Sequence, residues 1–147
     1  MVKKILMAID RSGYKERITT FTISLAKALG AEVTAVHVID RSSFEPAADA
    51  YGNYMGVQIG PLEEALRKQA EELLSEAEQF GKKEGVKVDK EVIVASPSAA
   101  IIDYAKMNNI DLITVGTMGM TGLKQFLLGS VANNVITHAH CPVLAVR

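Results

Sequence analysis

Glycines, a serine and an aspartate carry the chemistry this sequence offers. Gly116, Gly119, Gly122 and Gly129 punctuate the stretch from Asp111 to Val131, and Ser130 follows the last of them. Glycine tolerates positive φ and lets another group approach the backbone closely. A loop of N–H groups leading into a helix N-terminus can cradle a phosphate, and the helix dipole favours the negative charge. Ser130 would either cap that helix or donate to a phosphate oxygen, and Lys124 adds one positive charge inside the loop. A glycine-rich turn with an ordinary serine N-cap accounts for the same composition.

The flanking elements must position this loop. Leu112, Ile113, Thr114 and Val115 form a short apolar, β-branched run that reads as a buried strand stopping at Gly116. Val131, Val135 and Ile136 then recur at helical spacing, so the helix from Ser130 is expected to reach about Ala139. The order is strand, glycine loop, helix.

The spacing Gly116, Gly119, Gly129, Ser130 is G-x2-G-x9-G-[ST], and it resembles the nucleotide-binding signature of the universal stress protein family, in its ATP-binding branch. The opening Lys3-Lys4-Ile5-Leu6-Met7-Ala8-Ile9-Asp10 and the ending Cys141-Pro142-Val143-Leu144-Ala145-Val146 are similar to that family too. The resemblance implies sheet order 3-2-1-4-5 and bound ATP. It implies that Ala8 contacts the ligand near the base and that Val38 bonds the adenine edge through its backbone. Gly116, Thr117, Gly119 and Met120 would meet the phosphates, with Gly129, Ser130 and Val131 closing from the helix start. It further implies a regulatory or stress-protection role and a homodimer.

The rest of the chain alternates strand and helix. Val2 to Ile9 reads as strand one, and Tyr14, Ile18, Phe21, Leu25 and Leu29 mark a helix stopped by Gly30. Ala31 to Ile39 reads as strand two, whereas Arg41 to Gly60 shows no period. Pro61 is expected to open a long helix with the stripe Leu62, Leu66, Leu73, Ala77 and Phe80, closed by Gly81 and Gly85. Val86 to Ala95 is strand three, Ser96-Pro97 starts a helix ended by Asn108-Asn109, and Val143 to Val146 is strand five. This alternation predicts one doubly wound α/β domain over residues 1–147, with a five-stranded parallel sheet and four helices. Ligands in such sheets bind beyond the C-terminal strand ends at the switch point. In the order that the resemblance implies, strands one and four flank that point, and Asp10 and Gly116 would face each other across one crevice. Asp10 then contacts the nucleotide or a metal, or simply caps the turn before Tyr14.

Other chemistries fit less well. His138, His140 and Cys141 lie close together, but the spacing matches no common zinc pattern, and a structural role at a helix end is expected. His37, inside strand two, reads as a hydrogen-bonded structural histidine. The chain has no G-x4-G-K-[ST], no G-x-G-x-x-G after strand one and no G-x-S-x-G. A receiver domain would want paired acids after strand one and an aspartate ending strand three, where Ala95-Ser96 stands. No general base with a partner is visible, so no catalytic residue is assigned. A slow ATPase and an interaction module without nucleotide are the rival functions.

Composition sets the remaining expectations. The 147 residues are 48% apolar with net charge -1, which suits a globular domain and gives no support for nucleic-acid binding. No apolar run reaches the ~20 residues of a membrane span. The opening strand is too short for a leader core, and Cys141, as the single cysteine, excludes an internal disulfide, so a cytoplasmic setting is expected. Mg²⁺ or Mn²⁺ would bridge the phosphates of ATP, because Lys124 alone neutralises little of their charge. In the sheet order that the resemblance implies, the apolar last strand lies at an edge, where pairing with a second copy would satisfy both edges. Proline at Leu144 is expected to remove one donor from that edge.

Overall fold

The computed structural model describes residues 1–43, 59–117 and 128–147. Five parallel strands form one sheet: β1 (Lys4–Ala8), β2 (Glu32–Asp40), β3 (Val88–Ala95), β4 (Leu112–Gly116) and β5 (Val143–Val146). Their order is β3-β2-β1-β4-β5, as expected. Among the described residues four α-helices connect them: α1 (Lys15–Leu29), α2 (Ile59–Glu84), α3 (Pro97–Met107) and α4 (Ser130–His138). A 3-10 turn, Arg41–Ser43, follows β2.

The central strand β1 is apolar on both faces, as a parallel sheet covered on both sides requires. Ile5, Met7, Ile9, Val33 and Ala35 pack with Ile18, Ile23 and Ala26 of α1 and Leu73, Leu74 and Ala77 of α2. Leu6, Val36, Ile113 and Val115 pack on the opposite side with Ile101 and Ala105 of α3 and Ala132 and Val135 of α4. The strand alternation thus divides one run, Ile5-Leu6-Met7, between two cores.

Helix faces depart from the expected stripes. Phe21 and Leu29 are 49% and 39% exposed, while Thr22 of α1 is fully buried. Its hydroxyl donates to Thr114 Oγ1 of β4 at 2.9 Å. A paired hydroxyl loses little on burial, so the buried face runs through Thr22 rather than Phe21. Leu62 is also exposed, and Ala70 and Leu74 take the buried positions on α2. On α4 the buried residues are Ala132 and Val135, with Val131 and Ile136 exposed.

Helix boundaries need similar corrections. Gly30 ends α1 in the left-handed region, and Ala31 N–H closes the cap on Ala26 O at 2.9 Å. Gly85 does the same for α2, with Val86 N–H on Gly81 O at 2.8 Å. Gly81 therefore lies inside the helix instead of closing it. A Cβ there would overlap Val88 Cγ2 and stand 3.0 Å from Val86 O, so glycine is required for α2 to reach β3. The long helix starts at Ile59, two residues before Pro61. Proline fits anywhere in a first turn, where the N–H has no intrahelical partner. Asn109, at φ 53°, takes the left-handed position after α3.

Hydrogen bonding also fixes which way each strand residue faces. Pro142 O and Val146 O accept from Ile113 and Thr117. With a period of two, Pro142, Leu144 and Val146 turn their backbone groups to β4, and Val143 and Ala145 turn theirs to the open edge. Proline at Leu144 would thus break the β4–β5 ladder, and Ala145 is the position that removes an edge donor.

Candidate functional site

A cavity of about 420 Å³ opens at the C-terminal ends of β1, β2 and β4. This is the switch point, where α1 and α2 cover one side of the sheet and α3 and α4 the other. Of the residues singled out in the sequence, Ala8, Asp10, Val38, Gly116, Gly129, Ser130 and Val131 all line it. Positions from β1, β2, β4 and α4 therefore meet in one place. Gly119 and Met120, with Gly122 and Lys124, lie outside the described residues.

Thr117 holds the frame and is absent from the lining. Its N–H donates to Val146 O at 3.0 Å, and its carbonyl accepts the Gly129 N–H at 2.7 Å. Those two donors are therefore engaged within the protein. Ser130 is the first residue of α4, and Gly129 occupies the N-cap position with no side-chain cap bond. Of the two readings of Ser130, the N-cap is absent, because the serine lies one residue too far along. The first intrahelical bond runs from Asn133 N–H to Gly129 O at 2.9 Å. The N–H groups of Ser130, Val131 and Ala132 consequently have no partner within the helix. Ser96 occupies the N-cap of α3, also without a side-chain bond, and Pro97 follows at the start.

On the opposite side the strands part. Ile9 N–H donates to Val36 O at 2.9 Å, the last ladder bond between β1 and β2. Glu32 N–H reaches Lys3 O and Val33 N–H reaches Lys87 O, so even-numbered residues of β2 face β1 and odd-numbered ones face β3. Val38 N–H and C=O thus point into the gap beyond the end of β1, and among the described residues no strand pairs with them. His37 Nδ1 lies 2.8 Å from Ile9 O. A carbonyl only accepts, so this nitrogen carries the proton. The expectation of a hydrogen-bonded histidine holds.

Asp10 Oδ1 accepts Ser12 N–H at 2.9 Å. The carboxylate shapes the turn into α1, and it lines the cavity at the same time. Other polar groups of the cavity were less marked in the sequence. Asp40 ends β2 as Asp10 follows β1, and its Oδ1 accepts Ser42 N–H at 3.0 Å and Ser42 Oγ–H at 2.8 Å. An acid at a second strand end was the available signal. Arg11 lines the cavity and donates from Nη1 to Gln69 Oε1 of α2. Nothing local in the sequence marks Gln69 or Leu66, which α2 brings to the site from a distant segment. Among the described lining residues the charged groups are Asp10, Arg11 and Asp40. Cations on this side are scarce.

The His138–Cys141 cluster is built differently. His138 Nδ1 lies 3.0 Å from Asn134 O, a bond back along α4. His140 is exposed. Burial pushes the Cys141 thiol up, and the Asp111 charge adds to this, so the thiol stays protonated at neutral pH. Among the described residues no three His, Cys, Asp or Glu side chains are placed to hold a metal ion. No described helix is long and apolar enough to cross a membrane.

Sheet order and crevice together define a doubly wound α/β protein with a cavity at the switch point. The universal stress protein family profile matches residues 1–147, and the chain belongs to that family. Universal stress protein MJ0531 of Methanocaldococcus jannaschii is 36% identical over 147 residues, covering 100% of this chain and 83% of its own. The fold is also that of universal stress protein UspA from Lactobacillus plantarum, at TM-score 0.84 and 28% identity over 99% of this chain and 97% of that one. A universal stress protein from Archaeoglobus fulgidus, solved in complex with dAMP, matches at TM-score 0.67 and 26% identity, covering 100% of both chains.

Proposed function

We propose that this chain is a single-domain, cytoplasmic regulatory protein of the stress response that binds ATP at the switch-point cavity. The observation that carries the reading is the meeting of two features at one cavity. Val38 presents an N–H and a C=O beyond the end of β1, and the start of α4 presents the N–H groups of Ser130, Val131 and Ala132. An N–H beside a C=O suits the edge of a purine base, which offers an acceptor beside a donor. A helix start suits phosphate. Ala8 flanks the base, Asp10 meets the sugar, and Gly116 and Gly129 border the phosphates. Thr117 supports them from the frame, and Gly119 and Met120 belong to the phosphate loop by the G-x2-G-x9-G-S spacing. The dAMP complex of the Archaeoglobus fulgidus relative supports a nucleotide in this fold.

With Asp10 and Asp40 on the lining, phosphate charge needs a cation, and Mg²⁺ or Mn²⁺ supplies it. The proposal contains no catalytic step. It includes a homodimer through β5, whose Val143 and Ala145 backbone groups face the open edge. Acid extraction of the purified protein and chromatography of the released small molecules test the reading. ATP or ADP near one per chain supports it. A nucleotide-free protein that also binds none when ATP and Mg²⁺ are added overturns it.

A further inference from the structure

We infer that His37 is a positioning residue, whose imidazole keeps the Val38 N–H open to a ligand by occupying the carbonyl that the sheet would otherwise give it. In a parallel ladder, a residue facing its neighbour donates one bond from its N–H and accepts one at its C=O. Ile9 N–H is bonded to Val36 O at 2.9 Å, so the next bond in the same ladder runs from Val38 N–H to Ile9 O. That bond is missing, and β1 ends at Ala8 although β2 continues to Asp40. Ile9 O instead accepts from His37 Nδ1 at 2.8 Å.

Ile9 is 4% exposed, so its carbonyl needs a protein donor to be satisfied. His37 is the residue adjacent to Val38, and its side chain lies on the same face of β2 as Ala35 and Ile39. It reaches Ile9 from beside the sheet, whereas Val38 N–H would reach it in the plane. The carbonyl has two lone pairs, yet among the described groups only the imidazole bonds to it. Without the imidazole, the donor that continues the ladder is Val38 N–H. The strands would then zip by one more bond, and the cavity would lose a donor without losing any lining residue.

The role in ligand binding rests on the nucleotide reading, but the structural role can be measured without nucleotide. The experiment is residue-resolved amide exchange of ¹⁵N-labelled ligand-free protein, comparing wild type, His37→Val and His37→Asn. Valine suits the strand and has no donor. The asparagine amide can donate from near the Nδ1 position. In wild type, Val38 is expected to exchange as an unbonded amide while Ile9 is protected. In His37→Val, Val38 exchange should slow by roughly three- to tenfold, the effect of one hydrogen bond, and ATP affinity should fall by a similar factor. His37→Asn should restore both. Slow Val38 exchange in ligand-free wild type overturns the inference, and does so even if the valine variant fails to fold. Unchanged Val38 exchange in a folded His37→Val variant overturns it too. If Val38 behaves as stated but saturating ATP leaves its exchange unaltered, the nucleotide reading fails and the positioning role stands.

Discussion

Gly129 donates its N–H to the carbonyl of Thr117 at 2.7 Å, and so ties the start of α4 to the end of β4. The two ends of the glycine signature are thereby held together by the protein itself. Thr117 N–H is also taken, by Val146 O at 3.0 Å. The donors left at the helix start are those of Ser130, Val131 and Ala132, whose N–H groups have no intrahelical partner. The strand and the helix serve as a frame for the loop between them.

Val38 supplies the first prediction. Its N–H faces the gap and not β3, so proline at this position removes the donor without cutting a β2–β3 bond. Val38→Pro should fold, because a proline is tolerated where the strand N–H is not in a ladder. Its ATP affinity should fall by about three- to tenfold. Calorimetric titration beside a thermal melt checks both halves. Wild-type affinity in a folded variant would remove Val38 N–H from the binding account.

Gly81 supplies the second. In most helix interiors Gly→Ala stabilises by roughly 0.5–1 kcal/mol. Here the added Cβ meets Val88 Cγ2 and stands 3.0 Å from Val86 O. Overpacking costs about 1–3 kcal/mol, so Gly81→Ala should destabilise by about 1 kcal/mol. Urea denaturation reads this as a lower midpoint at unchanged slope. A higher midpoint would show that α2 can move away from β3 cheaply.

Asp111 sets a dependence on pH. Its Oδ2 accepts Lys3 N–H at 2.8 Å and Lys4 N–H at 2.9 Å. These backbone bonds hold its carboxyl below the usual range. The folded state therefore binds this proton less readily than the unfolded state. The stabilisation is complete above the unfolded pKa of about 3.9 and is lost as pH falls through the lower folded pKa. Asp111→Ala should be less stable than wild type at pH 7, and the gap should narrow progressively below about pH 3.9. Melting temperatures at pH 7, 4 and 3 check it. A gap that stays constant with pH would show that the carboxylate charge is not involved.

Much of this arrangement was legible in the sequence. The β-branched runs of β2 and β4 announced strands, and the glycine spacing marked the loop between β4 and α4. What failed was local geometry that another segment decides. Thr22 stands outside the expected apolar stripe of α1, and Thr114, 92 positions away, makes its burial tolerable. Phe21 looked like core for the same reason reversed. Ser130 had the right chemistry for a cap but stands one residue inside the helix. Gln69 reached the cavity through the packing of a long helix, which no neighbouring residue encodes. His37 was read correctly as hydrogen-bonded, but its partner, the Ile9 carbonyl, could be known only from the ladder.

The proposed dimer turns on Ala145. Its N–H faces the open edge of β5, so Ala145→Pro removes a donor from an intermolecular ladder while sparing the bonds to β4. Light scattering should show wild type as a dimer at micromolar concentration and the variant shifted to monomer. A wild-type monomer under those conditions would contradict pairing through this edge.

Calorimetric titration of ligand-free protein with ATP and Mg²⁺, beside adenosine, tests the central claim most directly. The account predicts saturable binding of one ATP per chain. It also predicts more than about tenfold preference over adenosine, since each charge-assisted bond contributes roughly 1.5–3 kcal/mol. Absence of binding heat for ATP, with no nucleotide retained by the purified protein, would contradict it.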